Sequence, residues 1–495
     1  MKKRIFVILF VLLAHASFAE KVYDYNSLCQ QAYKEICVLK IKNATSLIAK
    51  AKLQNPNNLI PIYLESYIDV IELFFNENIE EYKKRKEDIN DRINALKRGN
   101  ENNALYLFCL SNVYLHKSIL HVRYGENMSA AWAARKSYSL IKENKEEFKN
   151  FAPNDLIYGT LQAITGTIPK SYNWIASILG MRGSLTDGMK LLKTFVNSKD
   201  PWAKFYNIEG DFLFNYLSYY IENKKELTIQ RIKKSNYDLV NNHLLAYMAA
   251  NLCVNGKQTE WAKQIIQNRN QSVEYLSTPV WDMQMGYAHL HKLELEEAIN
   301  SFEKYIASFK GNFYIKDIYQ KLCWAYYLQG NYATAQSMRN NVLQKGNTNS
   351  DADKQALKEA KENHWPNIVL LKSRLLNDGG YNEEALALLE NKTINSFDKE
   401  EEKLEFVYRL GRINDDLNND SEALKFYKQA IVLGEFRKEY YAARAALQIG
   451  NIYENQLNKS EAIKYYNICL NMNDHDYKSS LDQRAKSGIA RCNGE

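Results

Sequence analysis

The chain has 495 residues, among them 7 prolines, 20 glycines and 35 tyrosines. So few prolines, together with long amphipathic runs rich in Lys, Glu, Leu and Ala, favour helix throughout. The formal net charge of +7 is small for this length. The basic residues form no concentrated stripe of the kind that nucleic-acid binding requires, so we expect no nucleic-acid partner.

The first residues of the chain have the pattern of an export signal. A basic start, Lys2–Arg4, precedes the apolar run Ile5–Ala14, and Ser17–Ala19 supplies the small residues of a cleavage site. The apolar run is shorter than the about 20 residues that span a bilayer. We therefore predict a cleaved signal peptide at residues 1–19 and a periplasmic or secreted location. The residue directly after the cleavage point is Glu20 and not a cysteine, so the protein is not expected to be a lipoprotein.

The N-terminal half is helical in composition but shows no regular repeat. Its segment "TIPKSYNWIASILGMRGSLTDGMKLL" combines Pro169 with Gly180, Gly183 and Gly188. Glycines at this spacing predict a tight turn and a close approach of two helices. Because no strand precedes them, they are poor candidates for phosphate binding.

The same segment resembles the signature of the inclusion-body-clearance and tetratricopeptide-repeat-thirty-nine family, in which a proline-led helix enters a glycine-rich turn and a second helix. The stretch "FYIKDIYQKLCWAYYLQGNYATA" is similar to that family's later Cys-Tyr-Trp-rich helix pair, so the resemblance covers roughly residues 100–345. It implies an all-helical, non-enzymatic protein that acts by binding partners, with no catalytic residues to carry over. The export signal departs from the cytosolic members of the family, so their cellular role is not expected to transfer.

The C-terminal half contains a repeat. "RLGRINDDLNNDSEALKFYKQAI" and "QIGNIYENQLNKSEAIKYYNICL" place Gly411 opposite Gly450 and Tyr427 opposite Tyr466. Small residues let two helices approach closely and aromatic residues fill the gaps between pairs, so the spacing resembles the tetratricopeptide repeat. The alanine of this pattern recurs at intervals of 36, 37, 50, 38 and 39 residues, at Ala262, Ala298, Ala335, Ala385, Ala423 and Ala462.

These patterns predict an all-α fold, an α-solenoid of antiparallel helix pairs with a less regular N-terminal half. The long interval contains an inserted helix near 351–363, and the tail predicts a capping helix at 478–495. Ser421 and Ser460, each just before a glutamate, are the expected N-caps of their helices. The predicted divisions before the cap are the signal peptide 1–19, an irregular helical-repeat region 20–240 and tetratricopeptide-like repeats 241–477.

The cysteines predict a protein without structural disulfides. There are seven, an odd number, and none forms a CxxC pair. Cys29 and Cys37 are separated by about 12 Å along one predicted helix, too far for a disulfide. Cys323 and Cys469 take small-residue positions of the repeats, where a free cysteine acts as a small hydrophobe. An exported chain of this kind suits a bacterial periplasm better than a eukaryotic secretory lumen.

The sequence contains no catalytic or metal-binding motif. HExxH, GxSxG, a Walker motif and Cys/His ligand spacings are all missing. His116 and His121 do not share a helix face, and neither do His289 and His291. We therefore predict no catalytic site, no metal and no cofactor.

The remaining candidates lie on the concave wall that the first helices of stacked pairs line. Aromatic residues and arginine are the side chains that most often anchor interfaces. The repeat register predicts that this wall carries Trp324, Tyr327, Tyr408, Arg412, Arg444 and Asn451. Two other interpretations stay open: the aromatic residues pack between repeats, or the arginines bridge Asp415 and Glu454 within the array.

We predict from these features an exported, non-enzymatic helical-repeat scaffold that binds a protein or peptide partner in the bacterial envelope. One alternative is an outer-membrane-associated protein that captures glycans or nutrients, although such proteins are typically lipid-anchored. A second alternative is an enzyme whose site is assembled from residues distant in sequence.

Overall fold

The computed structural model describes residues 20–167, 183–362 and 364–493. The predicted signal peptide, Pro169 and Gly180 lie outside the described residues. Those residues form 25 α-helices and one 3-10 helix, Ile394–Ser396, and their β pairing is a single parallel bridge between Val22 and Asn58. The prediction of an all-α fold is confirmed.

The chain divides into two compact units. Unit 1 contains the described residues up to Met248 together with Asn268–Pro279 and Phe309–Gly311. Its helices are α1 (Ser27–Cys37), α2 (Ile41–Gln54), α3 (Ile60–Asn76), α4 (Ile79–Leu96), α5 (Ala104–Arg123), α6 (Asn127–Glu147), α7 (Pro153–Thr165), α8 (Leu185–Val196), α9 (Pro201–Phe205), α10 (Asn207–Tyr220), α11 (Lys225–Lys234) and the first part of α12 (His243–Asn255).

Unit 2 contains Ala249–Gln267, Val280–Ser308 and the residues from Asn312 onward. After the end of α12, its helices are α13 (Thr259–Asn268), α14 (Val280–His291), α15 (Leu295–Ser308), α16 (Ile315–Leu328), α17 (Tyr332–Gln344), α18 (Asp351–Lys361), α19 (Ile368–Gly379), α20 (Asn382–Ala387), α21 (Glu400–Asp416), α22 (Asp420–Gly434), α23 (Tyr441–Asn455), α24 (Lys459–Asn471) and α25 (Lys478–Asn493).

Neighbouring helices pack in pairs within each unit. In unit 1, α5 packs on α6 and α7 on α8; in unit 2, α14 packs on α15, α16 on α17, α21 on α22 and α23 on α24. In every one of these pairs except α7 and α8, three residues connect the two helices, and so short a connection places them antiparallel. Successive pairs then stack, α22 on α23 and α24 on α25, so the architecture is an α-solenoid.

The alanines of the repeat fix its register in unit 2. All six are completely buried, as packing residues of the helix pairs must be. Each follows by five residues a position whose backbone is left-handed, with φ between +60° and +90°. These turn residues are Lys257, Leu293, Gly330, Gly380, Asn418 and Leu457. One turn geometry therefore recurs in all six pairs, although four different residue types occupy the left-handed position.

Glycine on the first helix receives an aromatic ring from the second. A Cβ on Gly411 would lie 2.6 Å from the ring of Tyr427, and one on Gly450 would lie 2.5 Å from the ring of Tyr466. Since real Cβ contacts do not come this close, only glycine leaves room for the ring. This contact explains why small and aromatic residues keep one spacing while the other positions vary.

The glycines of the N-terminal segment also serve packing, as far as the described residues show. A Cβ on Gly188 would lie 2.4 Å from the backbone nitrogen of Ala163, and one on Gly183 would lie 2.5 Å from the carbonyl oxygen of Gln162. The interpretation of these two glycines as sites of close approach is confirmed.

The predicted serine caps are wrong. Helix α22 begins at Asp420, one residue before Ser421, and α24 begins at Lys459, one residue before Ser460. The cap of α24 is Asn458, whose side chain accepts a hydrogen bond from the backbone N–H of Glu461 at 3.3 Å. The left-handed turn residue sets where each helix starts, and this residue comes earlier than the serine.

The inserted segment changes the stacking of unit 2. Helix α18 lies in the long interval between alanines and packs on α16 and α17. Helix α14 packs directly on α19, so α16, α17 and α18 do not separate these two helices completely. All seven cysteines are buried, and none is bonded to another.

Candidate partner-binding surface of unit 2

The six predicted site residues all lie in unit 2, on the first helices of three pairs. Helix α16 carries Trp324 and Tyr327, α21 carries Tyr408 and Arg412, and α23 carries Arg444 and Asn451. Their exposure ranges from none to partial, so they do not form one exposed wall. Their role in binding stays a prediction, and their surroundings differ enough to be described separately.

The two aromatic residues of α16 are almost fully buried. Tyr327 stacks on Trp365, with ring centroids 4.7 Å apart, and its hydroxyl donates to the carbonyl of Pro366 at 3.1 Å. The ring of Trp324 lies 4.1 Å from the ammonium of Lys321. Tyr327 therefore packs against the segment that follows the inserted helix, and Trp324 is also buried within unit 2, as the interpretation of these aromatic residues as packing residues expects.

Trp324 nevertheless borders a cavity of about 140 Å³. The aromatic and arginine residues that line this cavity are Trp324, Arg339, Trp365, Arg374, Tyr440, Tyr441 and Tyr477. Its carboxylates include Glu359, Glu401, Glu405 and Glu439. Burial raises the pKa of Glu401; the nearby His364 lowers it, and repulsion from Glu439 and Glu405 raises it further.

Tyr408 is fully buried and presents no apolar surface, contrary to the expectation from the sequence. Its ring lies 5.1 Å from that of Tyr441 and 6.3 Å from that of Tyr440. Within the part of the chain that the structure describes, its hydroxyl has no hydrogen-bond partner. Tyr408 is thus a core residue of the stacked pairs with one polar atom left unsatisfied.

Arg412 forms an ion pair inside the array, but with a different partner from the one expected. Its guanidinium lies 3.1 Å from a carboxylate oxygen of Asp378 on α19. Burial opposes ionisation of Asp378, yet Arg412 and Arg374 outweigh it and hold the pKa of Asp378 well below its usual range. Asp415 instead accepts a hydrogen bond from Tyr427 at 3.0 Å. Arg412 therefore joins helices rather than offering a free charge.

The same network extends to Lys257, in the first turn of the repeat region. Its ammonium pairs with Asp416, and burial together with repulsion from Arg412 lowers the pKa of Lys257 to about 8. His291 is also buried there, which lowers its pKa to about 4. Titratable groups converge here as an enzyme would require. However, the charged groups pair with one another, which is typical of an ion network that joins distant helices.

The two predicted residues of α23 differ in their contacts: the side chain of Asn451 is hydrogen-bonded within unit 2, whereas that of Arg444 forms no ion pair with the described residues. Asn451 donates to the side-chain oxygen of Gln448 at 3.0 Å and accepts from the hydroxyl of Tyr466 at 2.9 Å. Arg444 is half-buried, and its guanidinium lies 5.8 Å from the ring centroid of Tyr440. Among the predicted residues, Arg444 retains the charge most available to a partner.

Two features of the structure were not found from the sequence. Arg484 on the capping helix α25 is half-buried and interacts electrostatically with Arg444 and Arg412. In unit 1, the carboxylate of Glu209 accepts hydrogen bonds from Tyr33 at 2.8 Å and Tyr67 at 3.0 Å. Neither lies in a motif. The repeat register would predict Arg484 only if the capping helix α25 were aligned as the first helix of a further pair.

Within the described residues, no three His, Cys, Asp or Glu side chains converge to hold a metal ion. None of the helices described is both long enough and apolar enough to span a bilayer.

No family model and no curated protein matches the sequence. The resemblance to one named repeat family therefore stays a prediction. Among solved structures, the chain matches the crystal structure of the APC/C hetero-tetramer Cut9-Hcn1 at 12% identity and a TM-score of 0.27. The match covers 95% of this chain and 90% of that chain, and at this TM-score it supports no functional argument. The all-α solenoid described above rests on the helices themselves.

Proposed function

We propose that this chain is an exported, non-enzymatic scaffold that binds a protein or peptide partner in the bacterial envelope. The single observation that carries the proposal is the cavity of about 140 Å³ in unit 2, with two tryptophans, three tyrosines and two arginines in its lining. Aromatic and arginine side chains around a recess are typical of binding hot spots. Stacked helix pairs supply the rigid frame that such a recess needs.

Export is supported by the sequence of the first nineteen residues and by the cysteines. A basic start, a short apolar run and small residues at the cleavage point are the features of a secretory signal. Seven buried thiols without a disulfide are compatible with a periplasmic protein that folds without a disulfide framework.

The proposal is tested by crosslinked affinity capture from native envelopes, with partners identified by mass. The informative variant combines Glu401→Lys with Tyr477→Asn, because both residues line the cavity and asparagine tolerates the left-handed backbone of Tyr477. The matched control combines Glu383→Lys with Tyr332→Asn, which are exposed residues of the same unit that do not line the cavity.

We expect a partner that the wild type and the control capture equally and that the cavity variant captures at least tenfold less. Thermal melting should be similar for all three chains. Equal capture by the cavity variant would show that the cavity is not the binding site. Partners of cytosolic origin alone would contradict the envelope location.

A further inference from the structure

Three helices of unit 2 place arginine side chains and a buried tyrosine hydroxyl in one cluster. We propose that Arg444 and Arg484, together with the hydroxyl of Tyr408, bind a carboxylate group of an acidic peptide. This inference rests on the proposed function, peptide binding by unit 2, and names the chemistry that the partner would carry.

The geometry of the cluster follows from the stacking of the first helices. Helix α23 packs on α21 on one side and on the capping helix α25 on the other. Tyr440, directly before α23, connects the groups, because its ring lies 6.3 Å from that of Tyr408 and 5.8 Å from the guanidinium of Arg444. Tyr477, before α25, meets Tyr440 edge to face at 5.1 Å. The guanidinium of Arg444 therefore lies beside an aromatic ring that restricts its conformations.

The positive charge of this cluster is not neutralised by the protein. Within the described residues, neither Arg444 nor Arg484 forms an ion pair, whereas every carboxylate on α21, α23 and α25 has another partner. Those carboxylates are Glu400 with Lys403, Glu401 with His364, Glu402 with Lys399, Glu405 with Arg409, Asp415 with Tyr427, Asp416 with Lys257, Glu454 with Arg491 and Asp482 with Lys478. Two neighbouring cations thus share a half-buried place without an anion.

The electrostatics of Arg484 agree with this geometry. Burial lowers the pKa of Arg484, and repulsion from Arg444 and Arg412 lowers it further, while the hydroxyl of Tyr408 acts in the opposite direction. An arginine nevertheless keeps its charge at neutral pH, so the repulsion persists in the free protein. A bound anion would relieve it.

The hydroxyl of Tyr408 supplies the second, independent sign of a missing ligand. It is fully buried and without a hydrogen-bond partner in the described residues. A buried hydroxyl without a partner costs stability, so such groups are rare in folded proteins. Tyr408 and Arg444 both lie beside the ring of Tyr440, so the hydroxyl is the nearby donor that we assign to a carboxylate held by the arginines.

The donors of this cluster match the geometry of a carboxylate group. The planar guanidinium presents paired N–H groups that match the two oxygens of a carboxylate. Guanidinium groups pair with phosphate as well, but the partner of the proposed function is a peptide, whose ordinary anionic group is a carboxylate, so phosphate serves as the competitor in the test. The rings of Tyr440 and Tyr477 beside the cluster offer contact to the backbone and side chains of a peptide.

The test uses the full mature chain and fluorescein-labelled hexaglutamate as the probe, with binding followed by fluorescence anisotropy. Amidated hexaglutamine is the uncharged comparison, and inorganic phosphate is the competing oxyanion. The site variant is Arg444→Gln with Arg484→Gln. Its control, Lys438→Gln with Lys486→Gln, removes the same charge from exposed positions of unit 2.

We expect hexaglutamate to bind the wild type, hexaglutamine not to bind, and the site variant to lose at least tenfold in affinity, about 1.4 kcal/mol. The lysine control should change by less than about twofold. Arg484→Lys, which keeps the charge but not the paired donors, should lose affinity as well. Tyr408→Phe should weaken binding yet leave the melting temperature unchanged or higher, a pair of effects that a purely structural role would not produce.

Several outcomes would overturn the inference. They are absence of hexaglutamate binding to the wild type, an equal loss in the arginine and lysine variants, and competition by inorganic phosphate as strong as by unlabelled hexaglutamate. If hexaglutamate ignores the arginines but the Glu401→Lys/Tyr477→Asn variant still loses its partner, this inference fails and the proposed function stands. If that variant keeps its partner while hexaglutamate binds through the arginines, the proposed function fails at the cavity and this inference stands.

Discussion

Asp415 shows how the buried surface of the repeats perturbs a single residue. One of its carboxylate oxygens accepts hydrogen bonds from the hydroxyl of Tyr427 at 3.0 Å and the side-chain amide of Gln448 at 3.2 Å. Burial raises the pKa of Asp415 to about 6, although the tyrosine hydrogen bond acts against this and Asp416 adds to it. The carboxylate is thus less favourable in the folded chain than in the unfolded one.

This perturbation makes the stability depend on pH in a defined direction. Because the folded pKa is raised above the unfolded value near 3.8, the folded state binds more protons between about pH 4 and pH 6. The contribution of Asp415 to stability is therefore present below that window and is lost as the pH rises through it. Asn cannot titrate, and its carbonyl oxygen can accept the same two hydrogen bonds.

We expect Asp415→Asn to be more stable than the wild type at pH 7, by about 1 kcal/mol, and to show a smaller loss of stability between pH 4 and pH 7. Urea unfolding at several pH values measures both effects. Asp398→Asn, at an exposed position of the same unit, is the control and should follow the wild type. An unchanged pH dependence in Asp415→Asn would contradict the assignment.

The turn between the two helices of a pair is the element that the repeats share most closely. Its left-handed position is occupied by glycine in two pairs, by asparagine in one and by lysine or leucine in the others. Glycine and asparagine adopt this conformation readily, whereas a leucine is strained there. Leu457 is 83% exposed, so its side chain gains little from burial in return.

We expect Leu457→Asn to stabilise the protein by about 0.5–1 kcal/mol, because it removes strain without removing a buried contact. The matched reverse change is Asn418→Leu, at the same position of the preceding pair, and it should destabilise by a similar amount. Thermal melting of the two variants side by side measures the difference. Effects of equal sign would mean that the turns are not equivalent.

The repeat elements could be predicted from the sequence because their contacts are local. Ala423 and Ala462 are buried at helix crossings as their spacing predicted, since each helix packs mainly on its neighbours. Contacts between helices that are not neighbours in the chain produce no periodic pattern in the sequence. The packing of α14 on α19, and the pairing of Lys257 with Asp416, depend on how the inserted segment diverts the stack.

The candidate site was predicted less well for the same reason. The register assigned Arg412 and Tyr408 to first helices correctly. It could not show that Arg412 forms an ion pair with Asp378 or that Tyr408 is fully buried. Arg484 lies on the cap, whose alignment with the repeats the spacing does not define. Residue type and helix position can be inferred from periodicity, whereas ion-pair partners require the three-dimensional arrangement.

At the scale of the whole molecule, the first residues that the structure describes are part of the fold of unit 1. The backbone N–H of Val22 donates to the carbonyl of Asn57 at 3.0 Å, and the carbonyl of Val22 accepts from Leu59 at 2.8 Å. Tyr23 is buried, and its hydroxyl donates to the carbonyl of Leu96 at 2.6 Å. A signal peptidase that cuts after Ala19 would leave all of these contacts intact.

We therefore expect two truncations only four residues apart to behave differently. Intact-mass analysis of the exported protein should show Glu20 as the first residue, and a chain expressed directly from Glu20 should have the same unfolding free energy. A chain that starts at Asp24 lacks the burial of Tyr23 and both backbone hydrogen bonds of Val22, so it should be destabilised by at least about 2 kcal/mol. An exported protein that still carries Met1 would contradict the cleavage site. Equal stability of the two truncations would instead show that the segment before Asp24 does not contribute to the fold of unit 1, whatever the site of cleavage.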